Sequence, residues 1–97
     1  MEPGRDEQVA HLERLAAALA SNGYAIEWAR LNRVPEVTVR SSGEHGLADR
    51  VQCRPDTSGA WCFWWSWNTK QPIGAAADIE SAAARVMAVL RPVGGQS

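Results

Sequence analysis

A basic surplus, a long apolar run, a glycine-rich phosphate loop and a compact Cys/His cluster are all missing from this sequence, and each absence removes a class of function. Ten basic residues stand against 11 acidic ones, a net charge of −1. That excludes the one-sided positive field of a dedicated nucleic-acid binder. No apolar stretch approaches the roughly 20 residues that cross a bilayer, and Met1–Glu7 lacks the basic-then-apolar layout of a secretory signal. The expected setting is therefore the cytoplasm, away from membranes. There are two cysteines, Cys53 and Cys62, one on each side of a turn. In a reducing compartment two buried thiols are expected ahead of a disulfide. With His11 and His45 they match no metal-site spacing, so no metal or cofactor is expected. Ser66 lies in Trp-Ser-Trp without the glycines of a nucleophile elbow, and Glu27, Glu36, Glu44 and Asp49 form no placeable acid/base pair. The expectation is a protein that is not an enzyme.

What the chain does have is tryptophan. The stretch 61–67, Trp-Cys-Phe-Trp-Trp-Ser-Trp, holds four of the five tryptophans and the one phenylalanine. Trp61, Phe63, Trp65 and Trp67 recur with period two, the spacing that sets side chains on one face of a strand, while Cys62, Trp64 and Ser66 face the other way. Ninety-seven residues form one core, so this strand must be central to it. One domain over 1–97 is expected, ordered from about 6 to 91.

The remaining elements follow from periodicity. Val9, Leu12, Leu15, Ala16 and Leu19 fall at helical spacing after Asp6, a candidate cap, and Asn22-Gly23 supplies a stop. Tyr24 to Leu31 alternates as a half-buried strand, and Asn32-Arg33-Val34-Pro35 breaks it. Glu36 to Arg40 alternates with Val37 and Val39 inward. After a polar loop, Leu47 to Arg54 alternates again with Val51 and Cys53 on one face. Arg54 to Gly59 reads as a turn into the tryptophan strand. A loop ending Pro72-Ile73-Gly74 precedes a closing helix from about Ala76 to Leu90, with Ile79, Ala82, Ala83 and Val86 in its stripe. The predicted fold is α+β: helix, four-stranded antiparallel meander, helix, with both helices on one face of the sheet.

Register at the 54–60 hairpin decides where the rings go, since a one-residue slip reverses the strand. A turn over Asp56–Gly59 sets Asp56 opposite Ala60, Cys53 opposite Phe63 and Val51 opposite Trp65, with four rings in the core. A four-residue loop would set Cys53 opposite Cys62 and turn those rings outward. The first register is preferred, because four exposed rings exceed the apolar patch that soluble monomers tolerate.

In that register Arg40, Arg50 and Arg54 share the outer face with Thr38, Gln52 and Trp64. Arginine and tryptophan dominate binding hot spots, although Glu27 and Glu36 could simply pair with the arginines in a solvated face. The expected function is a small accessory or regulatory protein that binds a protein partner, or a second copy of itself, through Trp64, Arg50, Arg54 and Arg40 or through the edge of the tryptophan strand. The alternative is a small-molecule binder whose cleft between sheet and helices is lined by Tyr24, Trp28, Trp65 and Trp67.

Trp61-x-Phe63-Trp64-Trp65-Ser66-Trp67, followed by Pro72-Ile73, Asp78 and an Ala-rich closing helix, resembles a group of small actinobacterial proteins of uncharacterised activity. The resemblance covers the C-terminal half and implies an intracellular accessory protein without assigning any residue a role. The element order is also similar to that of double-stranded RNA-binding domains. Their closing helix starts with lysines, whereas Asp78 and Glu80 here would repel phosphate.

Overall fold

Among the described residues seven elements follow one another: α1 (Pro3–Ala20), β1 (Ala25–Leu31), β2 (Val34–Arg40), β3 (Ala48–Pro55), β4 (Trp61–Trp65), β5 (Gly74–Ala75) and α2 (Ile79–Val89). The structure, a computed structural model, describes residues 3–31, 34–41, 48–68 and 70–90. The loop with Glu44 and His45, the Asn32-Arg33 half of the expected break and the Arg91-Pro92 stop lie outside the described residues, whereas Val34 and Pro35, expected in that break, are the first two residues of β2 and pair with Leu31 and Arg30. All pairings are antiparallel and the order β1-β2-β3-β4-β5 is sequential, a meander of five strands where four were expected. The extra strand is short. Gly74 and Ala75 pair with Phe63 and Cys62, and bonds from Ile73 N to Phe63 O (2.7 Å) and from Ala76 N to Trp61 O (2.9 Å) extend the contact. The tryptophan strand is therefore interior, which corrects its expected place at the sheet edge.

Helix α1 starts earlier than the Asp6 cap implied. Proline suits the first helical turn, where its missing N–H has no intrahelical acceptor to serve, and Asp6 then lies in the first turn, where a carboxylate favours the helix dipole. Leu12, Leu15, Ala16 and Leu19 are buried and Glu13 and Arg14 exposed, as the periodicity requires. The helix closes with Tyr24 N bonded to Leu19 O (3.1 Å) and Gly23 N to Ala20 O (3.0 Å), a paired-bond stop that uses up its last carbonyls. The Gln8 amide donates to Cys53 O (2.6 Å), tying α1 to β3 just past the last β2–β3 pair, Glu36–Gln52. Helix α2 is capped by Asp78, whose Oδ1 accepts from Ser81 N (3.2 Å), so it begins later than expected.

The hairpin adopts the preferred register: Val51 opposite Trp65, Cys53 opposite Phe63, Pro55 opposite Trp61. Asp56 sets it. Its N–H donates to Ala60 O (2.8 Å), its carbonyl accepts from Gly59 N (3.0 Å), and Oδ1 accepts from Ser58 N (2.8 Å), Ser58 Oγ (2.7 Å) and Ala60 N (3.1 Å). Gly59 closes the turn at φ +91°, a conformation that L side chains rarely adopt.

One core joins the inner sheet face (Val37, Val39, Val51, Cys53, Phe63, Trp65) to Leu12, Leu15 and Leu19 of α1 and Ala82, Ala83 and Val86 of α2. The helices pack on the sheet and touch each other. Only two of the four rings expected in the core are fully inside it. Phe63 is 0 % and Trp65 7 % exposed, and Trp61 is half-buried, whereas Trp67 is 65 % exposed. The period-two pattern fails there because β4 ends at Trp65: Asn68 N bonds back to Trp65 O (3.0 Å), and Ser66-Trp67 belong to that turn.

Candidate functional site on the open sheet face

No described helix covers the outer face of the sheet, and the ladder lays its residues out in rows. One row runs Ala29, Glu36, Gln52, Trp64; the next runs Glu27, Thr38, Arg50; a third has Ala25, Arg40, Ala48. Ser66 joins the second row through its N–H to Arg50 O (2.9 Å).

The unexpected member is Glu36. Alternation places it on the solvated face, yet it is 2 % exposed. A carboxylate so enclosed destabilises the fold unless its oxygens are hydrogen-bonded. Oε2 accepts from Gln52 Nε2 (3.1 Å) and Ser66 Oγ (2.9 Å), and Oε1 lies 3.8 Å from Arg50 Nε. Two strands and the turn after β4 thus contribute to one polar knot, with Arg50 still 58 % exposed above it.

Beside the knot a groove of about 560 Å³ runs over the second and third rows, with Thr38 and Ser66 in its lining and Arg40, Arg50 and Glu27 around them. Trp67 forms one wall. Its Nε1 donates to Asp49 Oδ2 (2.6 Å), and its ring stacks on Trp65 with centroids 6.2 Å apart and planes 13° from parallel. Asp49 Oδ1 accepts from Arg50 N (2.8 Å), so this carboxylate is already engaged. Neither Arg40 nor Glu27 has a hydrogen-bond or ion-pair partner among the described residues.

The four residues expected to bind a partner all reach the open face, but in two places. Arg40 and Arg50 share the groove, whereas Arg54 and Trp64 line a separate hollow of about 250 Å³ with Pro55, Asp56 and Thr57. Trp64 is half-buried, its Nε1 donating to Arg54 O (3.0 Å). The residues of the alternative cleft are dispersed. Tyr24 packs on the core with its hydroxyl 3.5 Å from Met87 O, and Trp28 lies near Val9 at the sheet margin. Trp65 and Trp67 line a hollow with Pro72 and Arg85, apart from the other two. Glu36 and Ser66 are the site residues that were expected only as an ion-pairing surface carboxylate and a strand serine, and Trp67 was expected in the core or the interior cleft rather than at this groove. Alternation assigns a face, whereas burial of Glu36 needs β2, β3 and the turn after β4 together.

Cys53 and Cys62 face opposite sides of the sheet, because Cys53 opposes Phe63 while Cys62 opposes Arg54, and both are free. Burial pushes the Cys53 thiol from its ordinary 9.0 up to about 12. Burial, and then the Asp56 carboxylate, also raises Cys62, whose Sγ lies 3.7 Å from Asp56 Oδ2. Protonated thiols are poor nucleophiles and poor metal ligands. No cluster of His, Cys, Asp and Glu suited to a metal ion occurs among the described residues, and no helix is long and apolar enough to cross a membrane.

Compared with known proteins, the chain matches no family model, no curated sequence and no solved structure.

Proposed function

We propose that this protein is a non-enzymatic interaction module whose open sheet face binds an acidic segment of a partner protein in the Arg40–Arg50 groove. The observation that carries the reading is the Glu36 knot. Enclosing a carboxylate on a face that no described helix covers is unfavourable for a sheet that needs only solubility, and its effect is to hold Ser66 by a hydrogen bond and Arg50 by charge beside the groove. Two guanidiniums, that of Arg40 without a partner among the described residues, and a tryptophan wall are a suitable set for carboxylates on an extended chain. With a net charge of −1 the whole molecule does not attract polyanions, so any affinity must come from this groove.

The test is a titration with a glutamate-rich peptide and a lysine-rich control, read by tryptophan emission. The acidic peptide should bind and weaken with salt, Arg40→Ala and Arg50→Ala should each lower affinity by about tenfold, and Trp67→Phe should remove most of the signal. Equal binding of the lysine-rich peptide, or affinity indifferent to both arginines, would sink the reading.

A further inference from the structure

The sheet has one long open edge. Among the described residues β1 pairs only with β2, in register from Ala25–Arg40 to Leu31–Val34, which leaves the other side of a seven-residue strand without a ladder partner. The opposite margin is different, because β5 has two residues and bonds from Ile73 and Ala76 already occupy the adjoining part of β4. At the midpoint of β1 stands Trp28, 48 % exposed, on the helix side of the sheet, beside a hollow of about 270 Å³ lined by Val9, Ala29 and Pro35. Proteins that remain monomeric usually blunt such an edge with charged residues, proline or a bulge; β1 carries Glu27 and Arg30 but no lysine or proline, and its register is unbroken.

We infer that β1 pairs antiparallel with β1 of a second copy of this chain, about a two-fold axis at Trp28, joining the two sheets into one. The strand selects this occupant and this register. A two-fold axis perpendicular to the sheet sets residues of the same face opposite each other, so the axis must pass through a residue. At Trp28 the whole strand is matched, with the exposed Glu27 carboxylate opposite the small, exposed Ala29. Moved to Glu27, the axis would set two exposed carboxylates against each other and leave Arg30 and Leu31 without partners. The Trp28 axis also brings each indole beside its copy over the Val9–Pro35 hollow, covering apolar surface that a single chain exposes. Head-to-tail growth would need a long edge on the far side of the sheet, which the two-residue β5 does not offer, so the pairing closes as a dimer. This surface adjoins the arginine groove at Glu27, which lies on β1 and lines the groove.

Light scattering and sedimentation across a concentration series test it. The full chain should move toward twice its 10.6 kDa mass as concentration rises, and Trp28→Lys should return it to the single-chain mass with unchanged circular dichroism. If that variant does not fold, cysteine scanning decides. Opposed residues in either kind of antiparallel pair lie within disulfide reach, so Trp28→Cys should form a covalent dimer under mild oxidation and Ala29→Cys should not. The buried Cys53 and Cys62 do not compete. A wild type that stays at single-chain mass up to about 1 mM, the weak limit of useful association, overturns the inference. So does a dimer indifferent to Trp28→Lys, or crosslinking through Ala29→Cys in place of Trp28→Cys.

Discussion

Replacing Glu36 by alanine and by glutamine separates the two parts the buried carboxylate can play, as hydrogen-bond acceptor and as charge. Alanine removes the acceptor of both Gln52 Nε2 and Ser66 Oγ. Gln52 is 7 % exposed, so its amide loses its partner with little access to water, at a cost of about 1–3 kcal/mol. Ser66 is half-exposed and can turn to solvent, adding at most about 1 kcal/mol. The one deleted methylene contributes about 0.8 kcal/mol, and relief of the desolvated charge works in the opposite direction. The net expectation is a loss of about 2–4 kcal/mol, which in a domain of this size lowers Tm on the order of 10–20 °C. Glutamine keeps the length and one carbonyl acceptor, so its loss should stay within about 1 kcal/mol. Urea melts followed by tryptophan emission and circular dichroism measure both. If glutamine proves as damaging as alanine, attraction to Arg50 holds the knot and the hydrogen-bond reasoning is wrong; if alanine is silent, Glu36 organises nothing. Glu36→Gln should also raise affinity for the glutamate-rich peptide, since it removes a carboxylate 3.8 Å from Arg50 that competes with the ligand.

The tryptophans should rank by burial: Trp65→Ala should lose about 3–5 kcal/mol, whereas Trp67→Ala, which gives up one stacked face and one hydrogen bond, should lose about 1 kcal/mol. Equal losses in chemical denaturation would show that Trp67 belongs to the core. For acid stability the group to follow is Asp56, held below its ordinary 3.8 first by the Ser58 hydroxyl and then by the Ala60 and Ser58 N–H groups. A carboxyl depressed in the folded state stabilises above its unfolded pKa and loses that contribution as pH falls through the lower folded value. Asp56→Asn keeps an acceptor but does not titrate, so its melting temperature should fall less steeply with acid; a slope equal to wild type below pH 3.8 refutes the assignment.

The α+β class, the two amphipathic helices, the alternating strands and the hairpin register were all legible in the sequence, because each depends on neighbours a few residues apart. Asp56, Ser58 and Gly59 lie inside the turn they shape and hold the observed register, the one preferred because the other would expose four rings. The arginine face was legible for the same reason, since period two and a known register place Arg40, Arg50, Arg54 and Trp64 together on one side.

Three features needed the tertiary structure. Glu36 is enclosed because Gln52 and Ser66, 16 and 30 residues away, meet its carboxylate from β3 and from the turn after β4, and no local pattern encodes that convergence. Trp67 leaves the core although it keeps the spacing of Trp61, Phe63 and Trp65, because backbone turning at Ser66 is decided by the bond from Asn68 and by the reach of its indole to Asp49. The tryptophan strand lost its open edge because Gly74-Ala75, too short a signal to read as a strand, pair with Phe63 and Cys62, and Gly74 lets α2 pass close behind, where a β-carbon would come within 3.3 Å of Ala82. Local spacing determined which residues share a face; which of them are covered, and which edge stays free, depended on contacts between segments far apart in the chain, whose closure no short-range periodicity can record.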